Sequence, residues 1–365
     1  MIKNISVENF KSLKDINVSI KPLNLLMGLN GMGKSSFIQS LLLLMQSENL
    51  DKRIISLKGS LFDIGLGRDA LYQYSNEDFF TIGIGFDDLS EFKWRFKYQN
   101  DKDELISENG YSSSQMKVFY NSTNNFQFIS AERIGAQDLY EASSIIVADK
   151  KQIGLSGEYA AYYLNIHGAN FKVSEELKHS SCLSPILSDQ INSWMGEVSP
   201  GIVINTKYVP EINKVILDYQ YSLHNTRTNS FKSKNVGFGI TYVLPVLLSL
   251  LTAEKGKIII IENPESHIHP KGQAELGKLI ALAANTGAQL FIETHSDHIL
   301  NGIRVAVKEN KVGNERVNIM YFDKETTESE QFSKITSINI DKNGELSEYP
   351  KDFLDEWNNQ LLKLI

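Results

Sequence analysis

The chain has 365 residues, enough to bury a substantial core in one large domain or two smaller ones. Its formal charge of −7, from 37 basic and 44 acidic side chains, excludes a wholly basic nucleic-acid coat and leaves room only for a local basic groove. A single cysteine, Cys182, excludes an internal disulfide and a zinc–thiolate cluster, as suits a reducing compartment.

In chain order, the opening "MIKNISVENF" lacks the apolar core of a signal peptide. The runs "LLLLM" and "VLPVLLSLL" are too short to span a bilayer, so a cytoplasmic location without a membrane partner is expected. "IKNISVENF", "DINVSI" and "LNLLM" read as three short strands, and "KSSFIQSLLLLMQ" follows at helical spacing. Residues 53–130 carry strand signals in "FFTIGIGF", "EFKWRFKYQ" and "QMKVFY", an antiparallel lobe that "FQFISAER" is expected to close. Residues 138–200 turn polar and helical, with short helices at "GEYAAYYLNIHG" and "SPILSDQINSWMGEV". Strands return in "GIVINTKYV" and "KVILDYQYS".

After Gly237 the pattern becomes doubly wound, alternating helices with the strands "KIIIIE", "AQLFIE" and "RVNIMYF". The β-branched run Ile258–Ile261 suits a parallel strand buried on both faces. The tail reads as a hairpin strand and an amphipathic helix.

The stretch "GLNGMGKSS", Gly28–Ser36, places G-x-x-x-x-G-K-S between an apolar strand and a helix. Gly28, Gly31 and Gly33 let backbone N–H groups close around phosphate oxygens, with Asn30 within the loop. Lys34 supplies charge to the outer phosphates, and the hydroxyl of Ser35, next to Ser36, can ligate Mg²⁺. The helix beginning at Lys34 points its N-terminal dipole at the same anion. The expected ligand is Mg·ATP.

The second half of such a site is an acid at the end of an apolar strand, and "KIIIIENPESHIHP" offers Glu262 as a further metal ligand.

Together these segments resemble the ABC-type ATPase heads of the SMC and OLD (overcoming lysogenization defect) kind. "ISVENFKSLKDINVSIKPLNLLMGLNGMGKSSFIQSLLLL" looks like their opening, and "IIIIENPESHIHP" and "LFIETHSDHIL" like their Walker B, D-loop and switch-histidine segments. The whole chain resembles stand-alone bacterial ATPases related to the ATPase subunits of anti-phage systems such as Septu. The implied fold is a single P-loop NTPase head of ABC-ATPase type. Its parallel core sheet has helices on both faces, plus an antiparallel β lobe and a helical insertion. The expected parts are 1–137 (phosphate-loop elements and β lobe), 138–200 (insertion), 201–325 (signature, Walker B and switch-histidine half) and 326–365 (terminal strand and helix).

The resemblance also implies roles. Lys11 and Ser12 would lie near the adenine and ribose, and His295 would sense the γ-phosphate. "NVGFGITYVLP" would be the signature segment, with Gly237 and Gly239 at a helix start that meets the ATP of a second subunit. Where most ABC ATPases carry the water-activating acid this chain has Asn263, and an amide cannot take the proton. Glu265 is the expected substitute; otherwise hydrolysis is slow and ATP acts as a conformational ligand. His269 replaces the D-loop aspartate.

Two further features carry competing readings. His267, His269, His295 and His298, with Asp297, could form a zinc site, although the family reading already uses His295. Lys93, Arg95 and Lys97 alternate with Trp94 and Phe96, which describes either a solvated strand face or, together with Lys52, Arg53 and Arg68, a phosphate-tracking surface for DNA. The expected function is an ATPase that closes head-to-head as a homodimer and signals to a separate effector, such as an HNH-type nuclease, in anti-phage defence. The alternatives are an ATPase subunit for DNA repair or transport, and a self-contained nuclease or nucleotide kinase.

Overall fold

The computed structural model describes residues 1–47, 53–88, 90–110, 125–222, 226–350, 353 and 360–364. The first strands are β1 (Ile2–Phe10), β2 (Leu13–Ser19) and β3 (Leu23–Met27), followed by helix α1 (Lys34–Gln46). β4 (Phe79–Phe86) and β5 (Glu91–Lys97) join β1 and β2 in an antiparallel sheet of order β2-β1-β4-β5. This is the expected lobe. "QMKVFY" lies outside the described residues.

The strand "FQFI" does not close that lobe. As β6 (Phe126–Ile129) it pairs in parallel with β9 (Ile258–Glu262) and forms an edge of the core sheet. All four of its side chains are buried, which an edge of the half-solvated lobe would not require. After helices α2 (Ala160–His167) and α3 (Leu187–Val198), strands β7 (Ile202–Val209) and β8 (Lys214–Tyr221) form an antiparallel hairpin. Next come α4 (Phe238–Leu251), β9, α5 (Pro270–Ala283), β10 (Gln289–Glu293), α6 (Asp297–Lys308), β11 (Val317–Thr326) and β12 (Gln331–Ile338). β11 and β12 pair as an antiparallel hairpin, and the tail after them, expected to open with a hairpin strand, forms only a tight turn with an isolated bridge between Ile340 and Leu346. Most of the tail expected to be helical lies outside the described residues.

The core sheet has the order β12-β11-β3-β10-β9-β6, parallel throughout except for β12. Its strands are apolar on both faces because both are covered. Leu23, Leu25, Ile259, Ile261 and Ile292 pack into a core shared with the later helices. The alternate residues Leu26, Ile258, Ile260 and Phe291 face a second core shared with α1 and the antiparallel sheet. Among the described residues no helix is long and apolar enough to cross a membrane.

Topology brings the site together. The parallel strands β3, β9 and β10 all end at one edge of the sheet, where ligands bind in open α/β folds. β10 lies between β3 and β9, so Glu293 stands beside Leu26 on one side and Glu262 on the other.

Candidate functional site

The loop from Gly28 to Gly33 turns from β3 into α1, and its glycines are needed for two reasons. Gly28 and Gly33 have φ values of 131° and 103°, a region that L side chains rarely enter. A Cβ on Gly28 would also lie 2.2 Å from the Phe322 carbonyl oxygen, and one on Gly33 2.2 Å from Ser333 Oγ. The terminal hairpin β11–β12 therefore presses directly on the phosphate loop. Ser333 completes that contact, with its buried hydroxyl 2.8 Å from Ser12 Oγ.

The loop opens onto a cavity of about 310 Å³ lined by Lys11, Ser12, Asn30, Gly31, Gly33, Lys34, Ser35, Ser36 and Glu293. Eight of these nine are residues that the sequence marked for nucleotide. Lys34 Nζ donates to the carbonyls of Gly28 and Leu29 at 2.8 Å each, and its burial holds its pKa below the ordinary lysine value. Burial lowers Lys11 too, which donates to Gln39 Oε1.

The ninth, Glu293, was missed by sequence reasoning. It ends "AQLFIE", and the available signal was an acid closing a second apolar strand within the doubly wound half. Its carboxylate oxygens each lie 3.4 Å from Ser35 Oγ, and the residue is 7% exposed. Burial, reinforced by the neighbouring Glu262, pushes its pKa up to about 7.

Glu262 sits one strand further from the loop. Its Oε2 accepts from the Ala131 N–H at 3.0 Å, and burial raises its pKa as well. Glu265 turns elsewhere: one oxygen accepts from Thr294 Oγ1 at 2.8 Å and the other from the His295 N–H at 2.9 Å. It braces the loop that carries His295. His295 is exposed as a residue, yet partial desolvation of its ring and then the Lys34 charge lower its pKa, so the ring is within electrostatic reach of the phosphate loop.

Asn263 occupies a left-handed turn with φ of 44°, a conformation asparagine tolerates better than most residues. Its N–H donates to the Glu293 carbonyl at 2.8 Å, stitching the two strand ends together. Arg133 was also missed. It follows β6, is 5% exposed, and donates through Nη2 to the backbone carbonyls of Glu262 and Asn263. Burial lowers its pKa to about 10, opposed by Glu265 above all.

The signature segment lies apart from the cavity. Gly237 caps α4 and is exposed, with nothing nearer than 4.0 Å to a Cβ placed on it. Gly239 has a packing reason within its own chain, because a Cβ there would lie 2.1 Å from the His267 carbonyl oxygen. The His267 ring is packed edge-on against Phe238 and Tyr242 of α4, and His269 caps α5 by accepting from the Lys271 N–H. Two of the four histidines thus have structural partners.

Among the described residues no group of three or more His, Cys, Asp or Glu side chains gathers as a metal cage, so no zinc site forms. Magnesium does not need one: it takes most of its oxygens from water and phosphate and only one or two from protein. The hard oxygens of Ser35 and Glu293, facing one polar cavity, fit that demand.

On β5, Trp94 and Phe96 are buried and Lys93, Arg95 and Lys97 face outward. Lys93 pairs with Glu8 at 2.8 Å, and Arg95 with Glu77 at 3.0 Å and Glu108 at 3.2 Å. That face is charge-balanced rather than basic.

Comparison with known proteins places these features in a family. Residues 23–301 match the model described as "AAA domain, putative AbiEii toxin, Type IV TA system". Residues 312–364 match a family of unknown function, DUF3696. No curated protein matches. Among solved structures the chain is similar to an SMC head bound to the C-terminal winged-helix domain of ScpA, at 14% identity and TM-score 0.57, covering 93% of this chain and 98% of that one. It is also similar to the SMC head with an extended coiled coil bound to the C-terminal domain of ScpA from Pyrococcus furiosus, at 11% identity and TM-score 0.54, covering 100% and 99%. The shared feature is the ATPase-head fold.

Proposed function

Because the chain belongs to the AAA domain family matched over residues 23–301 and has the fold of SMC head domains, we propose that it binds and hydrolyses Mg·ATP as an ABC-type head. One observation carries the reading: a glycine loop, a lysine, a serine hydroxyl and a buried carboxylate converge on one cavity at the carboxyl edge of a parallel sheet. The Gly28–Ser36 backbone and the start of α1 cradle the phosphates, and Lys34 pairs with the β- and γ-oxygens. Ser35 and a strand-end acid, Glu262 or Glu293, would hold the magnesium. When bound, that ion neutralises charge on the phosphates. Lys11 and Ser12 flank the nucleoside end, and Glu265 keeps the His295 loop against the γ-phosphate position.

In this reading two copies close head-to-head, each covering the other's ATP with the start of α4, and the closed state engages a separate effector. The ScpA-bound SMC heads support partner binding by this fold. An effector nuclease and a role in anti-phage defence rest on the family resemblance, and so does a DNA-linked role. The face of β5 lends that role little support, because Lys93 and Arg95 are already paired with acids.

The test is Lys34→Ala. Losing charge-assisted phosphate contacts costs at least about 1.5–3 kcal/mol, so affinity for a fluorescent ATP analogue should fall by about tenfold or more with the thermal unfolding transition unchanged. Wild-type affinity in this variant would refute the nucleotide site.

A further inference from the structure

We infer that Glu293, rather than Glu262, is the carboxylate that directly ligates the nucleotide's divalent cation. The inference rests on the Mg·ATP reading and identifies the protein ligand within it.

Sheet order decides which acid is near. The serine that ligates the metal begins α1, immediately after the loop from β3, and the strand hydrogen-bonded to β3 is β10. Adjacent strands lie about 4.8 Å apart, so an acid on β9 is displaced by two such spacings, about 10 Å, from β3. Glu293 at the end of β10 is displaced by one. Both of its oxygens are 3.4 Å from Ser35 Oγ, and it lines the same cavity.

Glu262 is otherwise engaged. Its carboxylate accepts from the Ala131 N–H on the side of β6, away from β3, and Arg133 grips its backbone carbonyl. Glu265 spends both oxygens on Thr294 and His295. Among the described residues the only hydrogen-bond contact of the Glu293 side chain is Ser35. Lys34, the nearest cation, directs its ammonium at the loop carbonyls of Gly28 and Leu29. A buried carboxylate with so little compensation calls for a cation, and a hard divalent ion beside a serine hydroxyl supplies one.

A purely structural Glu293 is the competing account. In that case glutamine, which has the same shape and can still hydrogen-bond Ser35, would leave metal affinity unchanged. The experiment measures Mn²⁺ binding by electron paramagnetic resonance on the full chain with a non-hydrolysable ATP analogue, and nucleotide binding in parallel with EDTA present. Glu293→Gln should weaken Mn²⁺ binding by at least about tenfold, while nucleotide affinity in EDTA should not fall, since the change removes a negative charge beside the phosphates. Glu293→Asp should recover part of the loss, and Glu262→Gln should have the smaller effect. Unchanged Mn²⁺ affinity in Glu293→Gln, or a larger loss in Glu262→Gln, overturns the assignment. If the wild-type chain binds no nucleotide with or without EDTA, the underlying ATP reading fails, and this inference with it.

Discussion

At the scale of single residues, the chain places costly charged groups where packing alone would not ask for them. Lys257 precedes β9 and is 4% exposed; among the described residues its ammonium donates only to the Thr252 carbonyl and hydroxyl, at 3.2 and 3.3 Å. Burial drives its pKa down to about 8. A depressed lysine disfavours the folded state while charged, so the penalty is full below pH 8. It fades as pH rises from 8 towards the ordinary value of 10.5. Lys257→Met, which keeps the stem's apolar volume, should raise unfolding stability at pH 7 by on the order of 1–3 kcal/mol. The gain over wild type should shrink above pH 9 in a urea titration series. A constant difference across pH would show that the ammonium is not the source. Asn263 and Arg133 belong to the same scale: the first permits a left-handed turn, and the second holds the carbonyls of that turn in place.

At the scale of elements, helices α5 and α6 set the position of the loop between β10 and α6. Besides the side-chain hydrogen bond from Ser296 to Gln273, they approach closely enough for backbone to meet backbone. A Cβ on Gly277 would lie 2.3 Å from the Ile299 carbonyl oxygen, and one on Gly302 2.1 Å from that of Ala274. Ser296 caps α6 by accepting from the Ile299 N–H, so any splaying of the pair moves Thr294 and His295 as well. Gly302→Ala should therefore cost about 1–3 kcal/mol of stability, read from the urea midpoint, and should slow ATP hydrolysis more than it weakens ATP binding. A wild-type midpoint would mean that the two helices part without cost.

At the scale of the whole molecule, the proposed dimer makes each ATP site from two chains. Gly237 is the clean probe because its environment within the chain is open, whereas substituting Gly239 would disturb the packing against His267. Gly237→Glu puts a negative charge at the exposed start of α4, where it would repel the partner's γ-phosphate. Lys34→Ala and Gly237→Glu homodimers should each lose hydrolysis, and mixing them should restore part of it. A mixed dimer keeps one composite site intact and concentrates both defects in the other. Confirmed heterodimers without recovered turnover, or full activity in a stable monomer, would contradict composite sites. ATP drives closure only if it binds the closed state more tightly, so analytical ultracentrifugation should show nucleotide-dependent dimerisation.

Local pattern alone was enough for the phosphate loop, the doubly wound half and the inward–outward alternation of β5. Each depends on periodicity or on glycine geometry within a few residues, and those forces act along the chain. Pairing between distant strands does not leave such a mark. "FQFI" has the same apolar signature whether it closes an antiparallel lobe or edges a parallel sheet, and only the match with β9 decided between them. Glu293 looked like one acid among 44 until β10 inserted between β3 and β9 and brought it to Ser35. Arg133 became a buried clamp only through contact with a turn 130 positions away. The residues proposed to bind phosphate were legible because one continuous segment carries them. The acids and the clamp were decided by sheet order, which is a property of the folded molecule.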